Sequence, residues 1–146
     1  MYSDGPAPQQ LSRGECLQLM ASVSMGRIIY TRQALPAVEL VNFALDHGDI
    51  VVKTDGDGKL AAATRHSIVA FEVDCLDAQQ AGWSVTAIGP SREVTDPDDI
   101  GRLQKIDLSS WAHGTREHFV RVSPELLNGR RLRAHDQEDG NGTDRF

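Results

Sequence analysis

Lysine is scarce in this sequence: of 15 basic residues, only Lys53, Lys59 and Lys105 are not arginine. Either residue serves on an exposed surface, so the bias points to a GC-rich genome rather than to a function. It also makes the pairing of Lys53 with Lys59 informative, because no lysine-rich background produced it. Cysteine is scarcer still, with Cys16 and Cys75 far apart. Neither has a second cysteine or a histidine at metal-ligand spacing, and both are expected to be reduced core or half-core residues. Positive charge is in deficit. The net charge of −6 excludes general nucleic-acid binding, which needs a basic face to displace counterions from phosphates. No apolar run approaches the roughly 20 residues of a membrane span. The opening MYSDGPAPQQ has neither the basic start nor the apolar core of a secretory signal, so cytoplasmic residence is expected. Catalytic constellations are missing too. No Ser–His–Asp or Cys–His order supports hydrolysis, and His113 and His118 lack a third ligand for zinc.

What remains is ordinary for one globular domain of 146 residues, 40% hydrophobic and 25% charged. Both ends are expected to be disordered. Residues 1–10 precede the first helix signal. Residues 134–146, AHDQEDGNGTDRF, set four acidic side chains against one arginine and carry one aromatic, too little apolar surface to order themselves. The folded domain is therefore expected over residues 11–133.

Within it, LSRGEC opens a helix. Ser12 is the N-cap, Glu15 completes a capping box, and Leu11 with Cys16 form a hydrophobic staple. Leu17, Met20 and Val23 follow at helical spacing and should face the core. GRIIYT (26–31), PAVELVNFAL (36–45) and IVVKT (50–54) read as strands joined by short turns, and are therefore antiparallel neighbours. A short helix (59–66) and further strands at 67–74, 82–96, 117–122 and 127–132 complete the pattern, with Gly89-Pro90 marking a bend. Asp96 caps a helix with Pro97 at its first position. Six main strands with peripheral helices and no βαβ alternation predict a small antiparallel barrel. One stretch, VVKTDGDGKLAAATRH (51–66), has two readings. It is an exposed hairpin turn with solvated lysines, or an anion site in which backbone N–H groups and the two lysines meet a phosphate.

The ordered run GRIIYT, LPAVELVNFAL, GDIVVKT, GKLAAA, VAFEVDCLD, GWSVTAIGPSREV, HFVRVSPE, GRRL resembles the pyridoxamine 5′-phosphate oxidase-like family, and within it the small actinobacterial members. The resemblance covers about residues 11–133. It implies a mainly β fold, a six-stranded antiparallel Greek-key split barrel, assembled as a homodimer with a flavin-type cofactor in each of two interface grooves.

Residue by residue, the resemblance assigns Lys53, Thr54 and Lys59 to the cofactor phosphate. It lays Pro36, Val38 and Asn42 along the flavin ring and brings Trp83 and Ser84 to the ring from the other side. Trp111, in SSWAHG, falls where relatives place a residue over the partner's groove. Core packing is the competing reading for Val38 and Trp83, and packing of a helix end for Trp111. The pattern departs from the family at the turn, where relatives carry a serine and this chain has Gly58 with Asp55 and Asp57. Like charges near a phosphate repel, so both aspartates are expected to point to solvent. FMN is the expected cofactor. A deazaflavin is the alternative, its anionic tail drawing on Arg65, Arg27 or Arg32. The resemblance implies an oxidoreductase acting on a small organic substrate, with no side chain marked as a proton donor. The sequence shows no match to the C-terminal arginine and histidine motif of true pyridoxamine phosphate oxidases. Two other readings remain open: a non-catalytic flavin or haem binder of the same fold, and a degenerate dimer without cofactor.

Overall fold

In the computed structural model, which describes residues 9–54, 58–106 and 118–133, the chain begins with a two-residue strand. This is β1 (Gln9–Gln10), which pairs with Arg131 and Arg130. Both glutamines belong to the segment expected to be disordered, and that expectation is corrected at these two positions. Helix α1 (Arg13–Ala21) starts as its sequence dictates. Glu15 N–H donates to Ser12 Oγ and Ser12 N–H donates to Glu15 Oε1, which closes the capping box. Leu11 and Cys16 are both buried, as the staple requires. The buried face is Cys16 and Met20 with Leu19 and Val23 packed alongside. Leu17, expected in the core, is only half-buried, because the seam follows the 16–20–23 row instead.

Six strands then close a barrel. They are β2 (Met25–Arg32), β3 (Leu35–Asp46), β4 (Asp49–Thr54), β5 (Ser67–Leu76), β6 (Gly82–Glu93) and β7 (His118–Val122). A final strand, β8 (Leu126–Leu132), lies outside the ring beside β6. The sheet runs β1-β8-β6-β5-β2-β3-β4-β7, and the extra pairing of β6 with β7 completes the circle. Strands β2, β3 and β4 form a meander. The chain then returns through helix α2 (Lys59–Thr64) to lay β5 beside β2, which gives the Greek-key order. The β3–β4 turn is tight, with His47 and Gly48 both at positive φ, a mirror-image hairpin turn that matches strand twist. The β2–β3 tip uses the same turn with Gln33 and Ala34, at φ 51° and 67°, and neither is a glycine.

Along the edge away from β5, strand β6 serves two partners. Gly82–Ile88 pair with β8, and Ser91–Glu93 pair with β7. The switch falls on Gly89-Pro90, the bend marked by the sequence. A β-carbon on Gly89 would lie 1.6 Å from the Ser123 carbonyl oxygen, so only glycine allows the crossing. The strand was expected to reach residue 96. It stops at Glu93, because Asp96 caps α3 (Pro97–Gln104) by accepting from Asp98 N–H.

Alternation fixes the interior. Ile28, Phe43, Ile50, Val52, Phe71, Val73 and Val120 fill the barrel, with the Phe43 and Phe71 rings edge to face at 4.9 Å. A second, smaller cluster of Val51, Val94, Leu103 and Phe119 seats α3 on the outer face of β4 and β7. Beside it Asp46, 8% exposed, accepts from Arg102 and from the buried Arg121. Cys75, expected in or near the core, is exposed at the end of β5. No described helix is long and apolar enough to cross a membrane.

Candidate functional site

Helix α2 closes one end of the barrel. Leu60, Ala61 and Thr64 are its buried face, and Thr64 Oγ1 donates back to the Leu60 carbonyl. This leaves Lys59, Ala62 and Ala63 facing the β2–β3 hairpin across a groove of about 460 Å³, whose far wall is Tyr30, Arg32 and Glu39. Tyr30 donates from its hydroxyl to Glu39 Oε1 at 2.8 Å. Burial first, and then this carboxylate, push the Tyr30 phenol above its ordinary range, so it is a neutral donor there. Lys59 and Arg32 line this groove together with the Glu39 carboxylate.

The sequence-assigned phosphate residues are split by strand alternation. Thr54 points inward, is buried, and donates from Oγ1 to the His118 carbonyl at 3.2 Å. Lys53 takes the opposite face of β4, the face that α3 covers further along. Gly58 sits at φ 68° just before α2, so the turn needs glycine there. Asp55, Asp57 and Trp111 lie outside the described residues, as do His113 and the acidic tail.

Pro36, Val38 and Asn42 alternate with the buried Val41 and Phe43, so they share the outer face of β3. Val38 is 60% exposed, which rules out a core role within one chain. Registered neighbours extend its row across five strands: Val38, Ile29, Ala70, Ile88 and Leu126. All are apolar, and Leu40 and Ile68, 55% and 65% exposed, flank them. Ser84 is on this same outer face. It lines a second groove of about 450 Å³ with Gln10, Thr86, Asn128 and Arg130. Trp83 instead points inward and is 7% exposed within the main core. In one chain Ser84 stands three strands and four residues from Val38, roughly 14 Å across and 13 Å along.

Two arginines held as candidates for an anionic tail are already paired. Arg27 meets Glu72 and Asp74 at 2.9 and 3.2 Å, and Arg65 meets Glu93 at 3.2 Å. The sequence reading missed the cluster around that last pair. His118 Nδ1 lies 3.0 Å from Glu93 Oε2, and its ring borders Gly58. The hydrogen bond from His118, and then that from Arg65, hold the Glu93 carboxyl below its usual range. No local signal could have revealed the cluster, because β7 brings His118 to Thr54 across 64 residues of sequence.

This architecture has close counterparts. A family model described as pyridoxamine 5′-phosphate oxidase matches residues 12–131. An uncharacterised protein of Mycobacterium tuberculosis is 37% identical over 129 residues, 84% of each chain. The solved FAD binding protein of Mycobacterium smegmatis superposes with a TM-score of 0.74 at 33% identity, covering 88% of this chain and 99% of that one. A conserved protein of unknown function from Corynebacterium diphtheriae gives 0.73 at 28% identity, covering 86% and 98%. A closed six-stranded antiparallel barrel, the Greek-key return through α2 and a family match over most of its length make this chain a member of the pyridoxamine 5′-phosphate oxidase-like family of flavin-binding split barrels.

Proposed function

We propose that the chain is a flavin-dependent oxidoreductase that binds its cofactor between two copies of itself. The separation of Val38 from Ser84 on one outer face carries this reading. Two residue sets that address opposite sides of one planar ring cannot do so from a single chain at that spacing. A second copy, docked on the exposed row from Val38 to Leu126, brings one chain's β3 opposite the other's β6. That docking also removes an apolar stripe from water.

The residues fit a phosphate-bearing flavin. Lys59 and Arg32 line the groove, and Gly58 takes the positive φ that leads into α2. Pro36, Val38 and Asn42 supply a mixed apolar and polar floor. When bound, a flavin supplies hydride acceptance and return at its ring. The chain's own part is to bind the phosphate end, to fix the ring against β3 and to exclude water with its apolar row. FMN is the first candidate, its single terminal phosphate suited to Lys59 and Arg32. The FAD binding relative at 33% identity makes FAD the second candidate, and a deazaflavin is the third. A small organic substrate would enter over the ring.

The test is direct. Freshly purified protein is examined by absorption spectroscopy and light scattering, then titrated with FMN, FAD and deazaflavin. Flavin bands and twice the chain mass are the expected result. A monomer that binds none of the three refutes the proposal. Binding of FAD or deazaflavin tighter than FMN by tenfold, about 1.4 kcal/mol, changes the cofactor but keeps the site.

A further inference from the structure

The outer face that carries the apolar row also carries a charged one. One step along that face, Leu40, Arg27, Glu72, Thr86 and Asn128 are registered neighbours, about 7 Å from the row of Val38. Arg27 Nη1 donates to Glu72 Oε1 at 2.9 Å and to Asp74 Oδ2 at 3.2 Å. One guanidinium nitrogen thus serves two carboxylates of the same strand. Glu72 and Asp74 are half-buried in a single chain, and Leu40, at the end of the Glu72 row, is exposed. A second copy laid flat on the row from Val38 to Leu126 therefore reaches the charged row too.

We infer that the Arg27, Glu72 and Asp74 group makes association of the two copies proton-linked, each chain taking up one proton between its two carboxylates when this face is covered. This control rests on the dimer proposed above. Its physical basis is a charge count: two carboxylates against one guanidinium leave one negative charge in excess on each chain. In water that excess is solvated. Under an apolar partner it loses its solvation, and the protonated state is favoured. An isologous contact offers the same face to itself, so the second copy of the group brings the same excess. With a proton from solvent, one carboxyl donates its O–H to the other, and Arg27 keeps the charge that remains. Burial first, and then the Asp74 carboxyl beside it, already hold the Glu72 carboxyl above its ordinary range, with Arg27 pulling the other way. The groups facing Glu72 are Arg27 from β2, Asp74 on its own strand, and the uncharged Thr86 and Ser84 from β6; Arg130 of β8 stands beyond Ser84. The sign follows. A dimer that holds more protons than two separate chains tightens as pH falls through the raised Glu72 value in the dimer, and levels off below the value in the free chain.

Sedimentation equilibrium of the purified protein, from about pH 8 to about pH 5, reads the dissociation constant directly. It should fall by about tenfold or more across that range. Glu72→Gln keeps the shape of the side chain and is neutral throughout. At the alkaline end it should associate as tightly as the wild type does at the acid end, and it should lose most of the pH dependence. Asp74→Asn leaves one carboxylate for one guanidinium and should flatten the same curve; it serves as the test if Glu72→Gln does not fold. If the wild type does not dissociate on dilution, a Val38→Ala background trims the apolar row and brings the constant into range. A constant that stays flat or rises in acid, or variants that keep the wild-type slope, overturns the proton linkage and leaves the dimer standing. Protein that is monomeric at every pH overturns the dimer as well.

Discussion

Replacing Asp46 by asparagine removes one negative charge from beneath α3, and the structure sets the cost. Asp46 is 8% exposed. Its carboxylate accepts from Arg102 at 2.7 and 3.0 Å and from Arg121 at 2.8 Å. The two arginines are not equivalent. Arg102 is 43% exposed in its side chain and keeps Asp99 as a partner, so solvent screens its share to a small one. Arg121 is 5% exposed in its side chain and retains only the Asp46 carbonyl and Asp49, both at 3.4 Å. Stripping the partner from a buried charge costs about 3–5 kcal/mol, and the weak contact to Asp49 puts the loss near the lower end. At a urea slope of about 2 kcal/mol/M, that is a midpoint lowered by about 1.5 M. Acid gives an independent check. Hydrogen bonds from Arg102, and then those from Arg121, hold the Asp46 carboxyl far below the usual carboxylate range. A depressed folded value means the stabilisation is fully present above about pH 4 and is lost as pH falls toward that value. The wild-type and variant midpoints should therefore differ by a constant amount near neutrality and converge in strong acid. Adding Arg121→Met to Asp46→Asn should recover much of the loss, since the stranded charge is gone. Midpoints within about 0.3 M at neutral pH, or a gap that widens on acidification, would refute the reasoning.

Five further outcomes are expected. Gly89→Ala drives a β-carbon into the Ser123 carbonyl oxygen and should cost about 3 kcal/mol or more. Gly101→Ala in α3, with nothing within 4 Å, should instead stabilise by about 0.5–1 kcal/mol; thermal unfolding of the pair checks both. Ala34→Gly relieves a left-handed alanine at φ 67° and should raise stability by about 0.5–1 kcal/mol in urea titration. Val38→Lys, which charges the exposed row, should halve the mass seen in light scattering while leaving the barrel's circular dichroism unchanged. Lys59→Ala should weaken FMN binding by about 1.5–3 kcal/mol in a fluorescence titration, with the fold kept intact by circular dichroism.

Local chemistry made part of this fold legible. Ser12 with Glu15 and Asp96 with Pro97 announce two helix starts because a cap is decided within four residues. Gly89-Pro90 is visible as a bend, but its purpose is not, since the partners of β6 are chosen by strands that lie later in the chain. Strand β1 left no trace because Gln9 and Gln10 have no alternation to show; the edge of β8 organises them. The site was less legible than the fold. Lys53 and Thr54 are adjacent in sequence, yet the pleat sends them to opposite faces. The exposure of Val38 follows from the pleat, which turns it to the outer face of β3, beyond the part of that face that α3 covers. Histidine 118 gave no signal at all, because its meaning comes from Glu93 and Gly58, which tertiary pairing alone brings near.

The seam at β7 also has a kinetic meaning. The meander of β2, β3 and β4 and the hairpin of β5 and β6 join neighbours in sequence, so each can form early. Closing the ring requires residues 118–122 to find residues 50–54 and 91–93, contacts of much longer range that carry a larger loop-closure cost. The seam should therefore zip last and open first, with the β7 amides exchanging hydrogen through partial openings that leave the β5–β6 hairpin shut. Thr54, Glu93 and His118 come together only across that seam. Their contacts exist only in the closed ring, so anything that strengthens them keeps the barrel shut by mass action, and slower amide exchange in β7 reports it.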